Sequence, residues 1–155
     1  MVDHDPDVVG QSATYIVSGG ASHLGAAIVR QIASAGNNVI IGDADERAAA
    51  KVAEELDGSA SAYRCDVRND QDLKGIVEFA RETYGGLNGI VNNAVSYLDN
   101  GITSSRADWH EAFDVCVFGG ARLLAEALPM LTQSSPSAVV NVASIAAKIA
   151  QRDRA

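Results

Sequence analysis

The chain reads as an α/β domain, a doubly wound parallel sheet of about five strands with helices on both faces. Three observations predict it. Short apolar runs alternate five times with stretches of helical periodicity. The runs carry hydrophobic residues on both faces, as buried parallel strands do. The first run passes through a glycine-rich turn straight into a helix, which is the βα unit that builds such sheets. Right-handed crossovers then predict the strand order 3-2-1-4-5.

Each element follows from its residues. Residues 1–12 are polar and acidic and read as a loosely ordered leader, and residues 13–155 read as the domain. The first strand spans about Ala13–Ser18. A helix follows over roughly Leu24–Ala35, with Ile28, Val29 and Ile32 facing inward, and Gly36-Asn37 stops it. The second strand, Asn38–Gly42, ends in Asp43, and the next helix, about Glu46–Leu56, is closed by Gly58. The third strand is about Ser61–Cys65. Asn69 or Asp70 can cap the third helix, where Leu73, Ile76, Val77 and Ala80 recur at helical spacing up to about Tyr84. After Gly85-Gly86 comes the fourth strand, Gly89–Asn92. One long helix then spans about Ala107–Leu131, with Pro129 and the polar Gln133–Pro136 ending it. The fifth strand is Ala138–Val142. It is outermost in the predicted order, yet Val139, Val140 and Val142 bring neither lysine nor proline to protect an edge. A sheet-interior composition there predicts further elements after residue 155, and so a domain truncated at its carboxyl end.

Composition narrows the function classes. A length of 155 residues suits one domain with a sizeable core. The net charge of −8 argues against nucleic-acid or anionic-membrane partners. Two cysteines are too few for a disulfide framework and are expected as reduced thiols in the cytoplasm. His4, His23 and His110 are scattered, so no metal site is expected. The acidic start Met1–Asp7 carries no secretion pattern, and no apolar run approaches a membrane span.

The chemistry concentrates at strand ends. Ser18-Gly19-Gly20-Ala21-Ser22-His23-Leu24-Gly25 lies between strand and helix, where small residues let the backbone approach a pyrophosphate and helix N–H groups face it. The alternative is a tight βα turn with no ligand. Asp43 lies about 20 residues past the glycines, where a carboxylate accepts both ribose hydroxyls and repels a 2′-phosphate. It reads alternatively as a solvated or helix-capping aspartate. Asp66, in Cys65-Asp66-Val67, can accept from an adenine amino group or serve only as the turn before a helix. Asn92-Asn93-Ala94 would lie beside the nucleotide's ribose, or form an ordinary asparagine turn.

Taken together, these residues resemble the amino-terminal part of the short-chain dehydrogenase/reductase family. The turn is similar to the family's T-G-x-x-x-G-x-G. Asp66-Val67, Asn92-Asn93-Ala94, Trp109, Pro129-Met130 and Val140-Asn141-Val142-Ala143-Ser144 follow in family order, over roughly residues 13–147. The resemblance implies a Rossmann-type fold, NAD(P) binding, and hydride transfer between nicotinamide and an alcohol or ketone. Asp43 matches the NAD-preferring position, which makes NADP the lesser expectation. Ser144 matches the catalytic serine that hydrogen-bonds the substrate oxygen.

Four departures qualify the resemblance. His23 replaces the middle glycine of the turn. Cys116 stands at the family's helix asparagine, where a thiol is not expected to replace the amide; it reads as a small buried hydrophobe. Val95 stands where glycine usually follows Asn-Asn-Ala. The family's Tyr-x-x-x-Lys lies beyond Ser144, and none of Tyr15, Tyr63, Tyr84 and Tyr97 is followed four residues later by lysine. A positioned acid or base contributes roughly 10²–10⁴-fold to such a reaction. The expectation is therefore a cofactor-binding dehydrogenase fragment with little or no catalysis, with the long helix near residues 107–131 as the expected face for any homo-oligomer. The rival readings are a non-catalytic nucleotide-binding or regulatory module and an S-adenosylmethionine-dependent transferase. The Asn92-Asn93-Ala94 and Asn141–Ser144 segments count against the transferase.

Overall fold

The computed structural model describes residues 12–97, 101–145 and 148; the expected leader, apart from Ser12, lies outside them. Five strands form one sheet: β1 (Thr14–Ser18), β2 (Asn38–Asp43), β3 (Ala60–Arg64), β4 (Gly89–Asn92) and β5 (Ala138–Asn141). All pairings are parallel and the order is β3-β2-β1-β4-β5, as the sequence predicts. The helices are α1 (His23–Ser34), α2 (Glu46–Glu54), α3 (Asp70–Tyr84), α4 (Arg106–Phe113) and α5 (Gly119–Leu131).

Alternation along the strands divides the core. Ile16, Ile40 and Ile90 face one side, where Leu73 and Ile76 of α3 and Leu123 of α5 cover them. Val17, Val39, Ile41 and Val91 face the other, against Val29 of α1 and Val52 of α2. Each such side chain contributes about 1.5–3 kcal/mol when fully buried. Local signals set the helix ends. The Asn69 side chain accepts from the Gln71 N–H at the start of α3, and Gly85, at φ 79°, ends it in the left-handed conformation that glycine tolerates.

Two expectations need correction, and a third needs refining. The long helix is continuous, as expected, but α4 passes into α5 through a π-turn, Asp114–Phe118, with helical backbone at both joins. Periodicity gives no sign of the one-residue insertion that widens the turn. Pro129 does not end α5 but sits inside its last turn, and the helix continues until the Thr132 N–H closes on the Leu128 carbonyl. The apolar strands are also not all buried. β1, β2 and β4 carry the core, β3 is only partly covered, and β5 is exposed along its length. Val139 and Val140 are 39% and 51% exposed, so both faces of this outer strand are open.

Candidate nucleotide site

Parallel pairing brings the predicted residues to one edge of the sheet. Ser18 is in register with Gly42 on one side and Asn92 on the other, and Asn92 is in register with Asn141. The glycine turn, Asp43, Cys65-Asp66-Val67, Asn93-Ala94 and Ser144 therefore all follow the carboxyl ends of strands. The chain reverses its direction of sheet growth between β1 and β4, and open α/β sheets form ligand crevices at such a point.

The turn after β1 is held from both flanks. The Gly19 N–H donates to the Gly42 carbonyl at 2.7 Å. Asn93 Nδ2 donates to the Ser18 and Gly19 carbonyls at 3.1 and 2.8 Å. Buried Ser18 Oγ accepts from the Asn93 and Ala94 N–H groups and donates to the Val91 carbonyl. Ser18 and Asn93 thus spend their polar atoms fixing the turn. Gly19 has φ 64°, and a Cβ there would lie 2.8 Å from Ala94 Cα. Gly25 is buried beneath the turn, whereas Ser22, His23 and Leu24 are exposed at its tip. His23 takes φ 48°, so the substituted glycine position does demand left-handed backbone. Ser22 makes no side-chain cap, and the first turn of α1 carries no acidic residue. Its leading N–H groups are therefore not engaged by a capping side chain, and the helix dipole favours an anion beside them.

Asp43 adjoins this helix start. Its Oδ2 accepts from the Ala21 N–H at 3.0 Å and its Oδ1 from the Asp45 N–H at 3.0 Å. Asp66 is paired with Arg68 at 2.8 Å. The Arg68 guanidinium's hydrogen bonds hold the Asp66 carboxyl below the usual carboxylate range. Arg68 is not among the residues the sequence marks for the site, although the Asp-x-Arg spacing carries the signal. The Cys65 side chain is 4% exposed and belongs to the core. Burial, with help from the Asp72 and Asp66 carboxylates, pushes its thiol up to about 12. Val67 is likewise buried, against Gly119. Only the main chains of Cys65 and Val67 remain for contact with a ligand.

On the other flank, Asn92 Nδ2 donates to Asn141 Oδ1 at 2.8 Å and to the Gly120 carbonyl at 3.4 Å. Asn141 is the second residue the site reading did not single out; an asparagine at the end of each neighbouring strand was its signal. Cys116 requires a correction, because it is exposed and not a buried hydrophobe. Its Sγ accepts from the Ser96 N–H at 3.5 Å and donates to the Ser96 carbonyl at 3.6 Å. Ser144 is exposed just beyond β5, at the same edge of the sheet. Among the described residues no cluster of His, Cys, Asp or Glu suited to a metal is present.

The model of the short chain dehydrogenase family matches residues 13–154. The chain belongs to this family. A 2,5-dichloro-2,5-cyclohexadiene-1,4-diol dehydrogenase of Sphingobium indicum is 30% identical over 137 residues, covering 86% of this chain and 54% of the relative. An uncharacterized oxidoreductase of Mycobacterium bovis is 32% identical over 145 residues, covering 88% of this chain and 56% of its own. A short chain dehydrogenase/reductase from Burkholderia phymatum, solved in complex with NAD, superposes with a TM-score of 0.87 at 27% identity, covering 93% of this chain and 53% of that one. The chain thus spans about half the length of the curated relatives it matches. The Rossmann-type fold accounts for where its strand-end residues converge.

Proposed function

We propose that residues 13–155 form the cofactor half of an NAD-dependent oxidoreductase acting on a secondary alcohol or the matching ketone. The observation that carries this reading is the start of α1, which no side chain caps, set behind the Gly19 turn with the Asp43 carboxylate at the next strand end. A dinucleotide fits that arrangement. Its diphosphate would lie at the backbone of Gly19–Leu24, and a ribose diol would donate to Asp43. Asp66 and the main chain of Cys65 and Val67 would border the adenine, and Asn92, Asn93 and Ala94 the further ribose. Asp43 supports NAD over NADP, since a carboxylate repels a 2′-phosphate.

When bound, the nicotinamide supplies or accepts a hydride. Ser144 would donate a hydrogen bond to the substrate oxygen from the end of β5. The 155 residues contain no tyrosine followed four residues later by lysine, so taken by themselves they are expected to turn over slowly. That observation also favours the second reading, a non-catalytic nucleotide-binding module. NAD binding without alcohol-dependent NADH formation would select the module, and turnover abolished by Ser144→Ala would select the enzyme. We also propose a cytoplasmic location, supported by the free thiols Cys65 and Cys116. Self-association through the long helix is supported by exposed Phe113, Val117 and Phe118.

Calorimetry tests the cofactor assignment. NAD is expected to bind, NADP to bind more weakly, and Asp43→Ala to cost about 1.5–3 kcal/mol, the range for hydrogen bonds to a charged group. Equal NAD binding by wild type and Asp43→Ala removes Asp43 from the site.

A further inference from the structure

We propose that Arg68 is a positioning residue for the adenine end of the dinucleotide. Its guanidinium, tied to Glu111 of α4, clamps the Asp66 carboxylate and leaves Oδ2 as the atom able to accept from the adenine amino group. This rests on the reading above, which sets the adenine beside Asp66. A lone ion pair at a surface fixes a carboxylate only weakly. Asp66 is held by more than that. Its own N–H donates to Asp72 Oδ2 at 2.9 Å, in the first turn of α3. Its Oδ1 accepts from the Arg68 N–H at 3.0 Å and from Arg68 Nε at 2.9 Å. Its Oδ2 accepts from Arg68 Nη2 at 2.8 Å, with Nε further off at 3.2 Å. The planar guanidinium thus meets both oxygens as a fork, a geometry that fixes direction as well as charge.

Arg68 is anchored in its turn. Its Nη1 forms an ion pair with Glu111 at 3.4 Å, and Asp114 adds to the negative field around it. Val67, between Asp66 and Arg68, is buried against Gly119. The three residues after Cys65 are therefore tied to α3, to α4 and to the start of α5. Counting acceptor sites then assigns the remaining one. A carboxylate offers about four lone-pair sites. Both sites on Oδ1 are taken, by the Arg68 N–H and Nε. On Oδ2, Nη2 takes one, and the more distant Nε is already shared with Oδ1. Oδ2 therefore keeps acceptor capacity, in a direction that the fork sets. Arg68 acts on the nucleotide through Asp66 and needs no contact with it.

The test is equilibrium binding of NAD and of an analogue carrying unsubstituted purine in place of adenine, so that the amino group alone is missing. Wild type is expected to prefer NAD by roughly tenfold or more, the range for a hydrogen bond to a charged group. Arg68→Ala should bring that preference to within about threefold by weakening NAD and sparing the analogue, because the carboxylate no longer keeps its direction. Arg68→Lys retains a charge without the fork and should restore the preference only in part. Glu111→Gln should fall between wild type and Arg68→Ala. The ratio separates positioning from a general loss of structure, which weakens both dinucleotides alike, and Arg68→Lys and Glu111→Gln carry the comparison if Arg68→Ala does not fold. An unchanged ratio in Arg68→Ala, or complete restoration by lysine, overturns the proposal, and a wild-type ratio in Glu111→Gln removes α4 from the clamp. Wild type that binds both dinucleotides equally overturns the proposal and leaves the cofactor reading standing. Wild type that binds neither overturns the cofactor reading, and the proposal with it.

Discussion

A methyl group on Gly25 would lie 2.0 Å from the Gly19 carbonyl oxygen and 2.7 Å from Asn93 Nδ2. Neither neighbour can retreat, because one is backbone and the other holds the turn. Gly25→Ala is therefore expected to cost about 3 kcal/mol, the upper part of the usual overpacking range, read as a fall in melting temperature with loss of NAD binding. A variant of wild-type stability would show that α1 does not press on the turn as described. Cys65 gives a pH prediction. Its folded value, about 12, lies above the ordinary 9.0, so the folded state retains the proton more tightly than the unfolded chain. Its contribution is fully present below pH 9.0 and is lost as pH rises toward about 12. Chemical denaturation of wild type and Cys65→Ala across that window should show the wild type losing stability more steeply. Parallel curves would contradict the burial of the thiol.

Elements differ in how much of them the residues disclose. β1, β2 and β4 are legible because apolar runs bounded by Gly, Asn and Asp leave one conformational choice. α3 is legible because Asn69 and Gly85 mark its ends and Leu73, Ile76, Val77 and Ala80 its inner face. The π-turn is not legible, because the close contacts just after it, of Gly119 with Val67 and of Gly120 with Asn92, join residues distant in sequence. The site divides the same way. The Gly19 turn and Asp43 are visible from spacing along the chain. The roles of Ser18 and Asn93 as internal supports, and the Ser96–Cys116 contact, depend on β1 lying beside β4 and on the helix crossing above. The exposed surfaces of the last elements carry a prediction. Val140 and Phe118 are 51% and 57% exposed, so the 155-residue chain is expected to self-associate in sedimentation experiments. Val140→Lys and Phe118→Lys separate the strand from the helix as the contact, and a monodisperse monomer at high concentration contradicts both.

For the molecule as a whole, the sheet converts separated residues into one edge. Five parallel strands end together, so a turn near residue 20, a carboxylate at 43 and asparagines at 92 and 93 become neighbours without any of them being adjacent in sequence. The family match spans residues 13–154, and the parallel sheet gathers polar residues at its carboxyl edge while β1, β2 and β4 beneath stay apolar. The central claim is that a dinucleotide's diphosphate rests on the first turn of α1. Amide chemical shifts followed during titration with NAD test it most directly. The largest changes are expected at Gly19 to Leu24, with a second group at Asp43. Saturating NAD that leaves those amides unmoved would contradict the account.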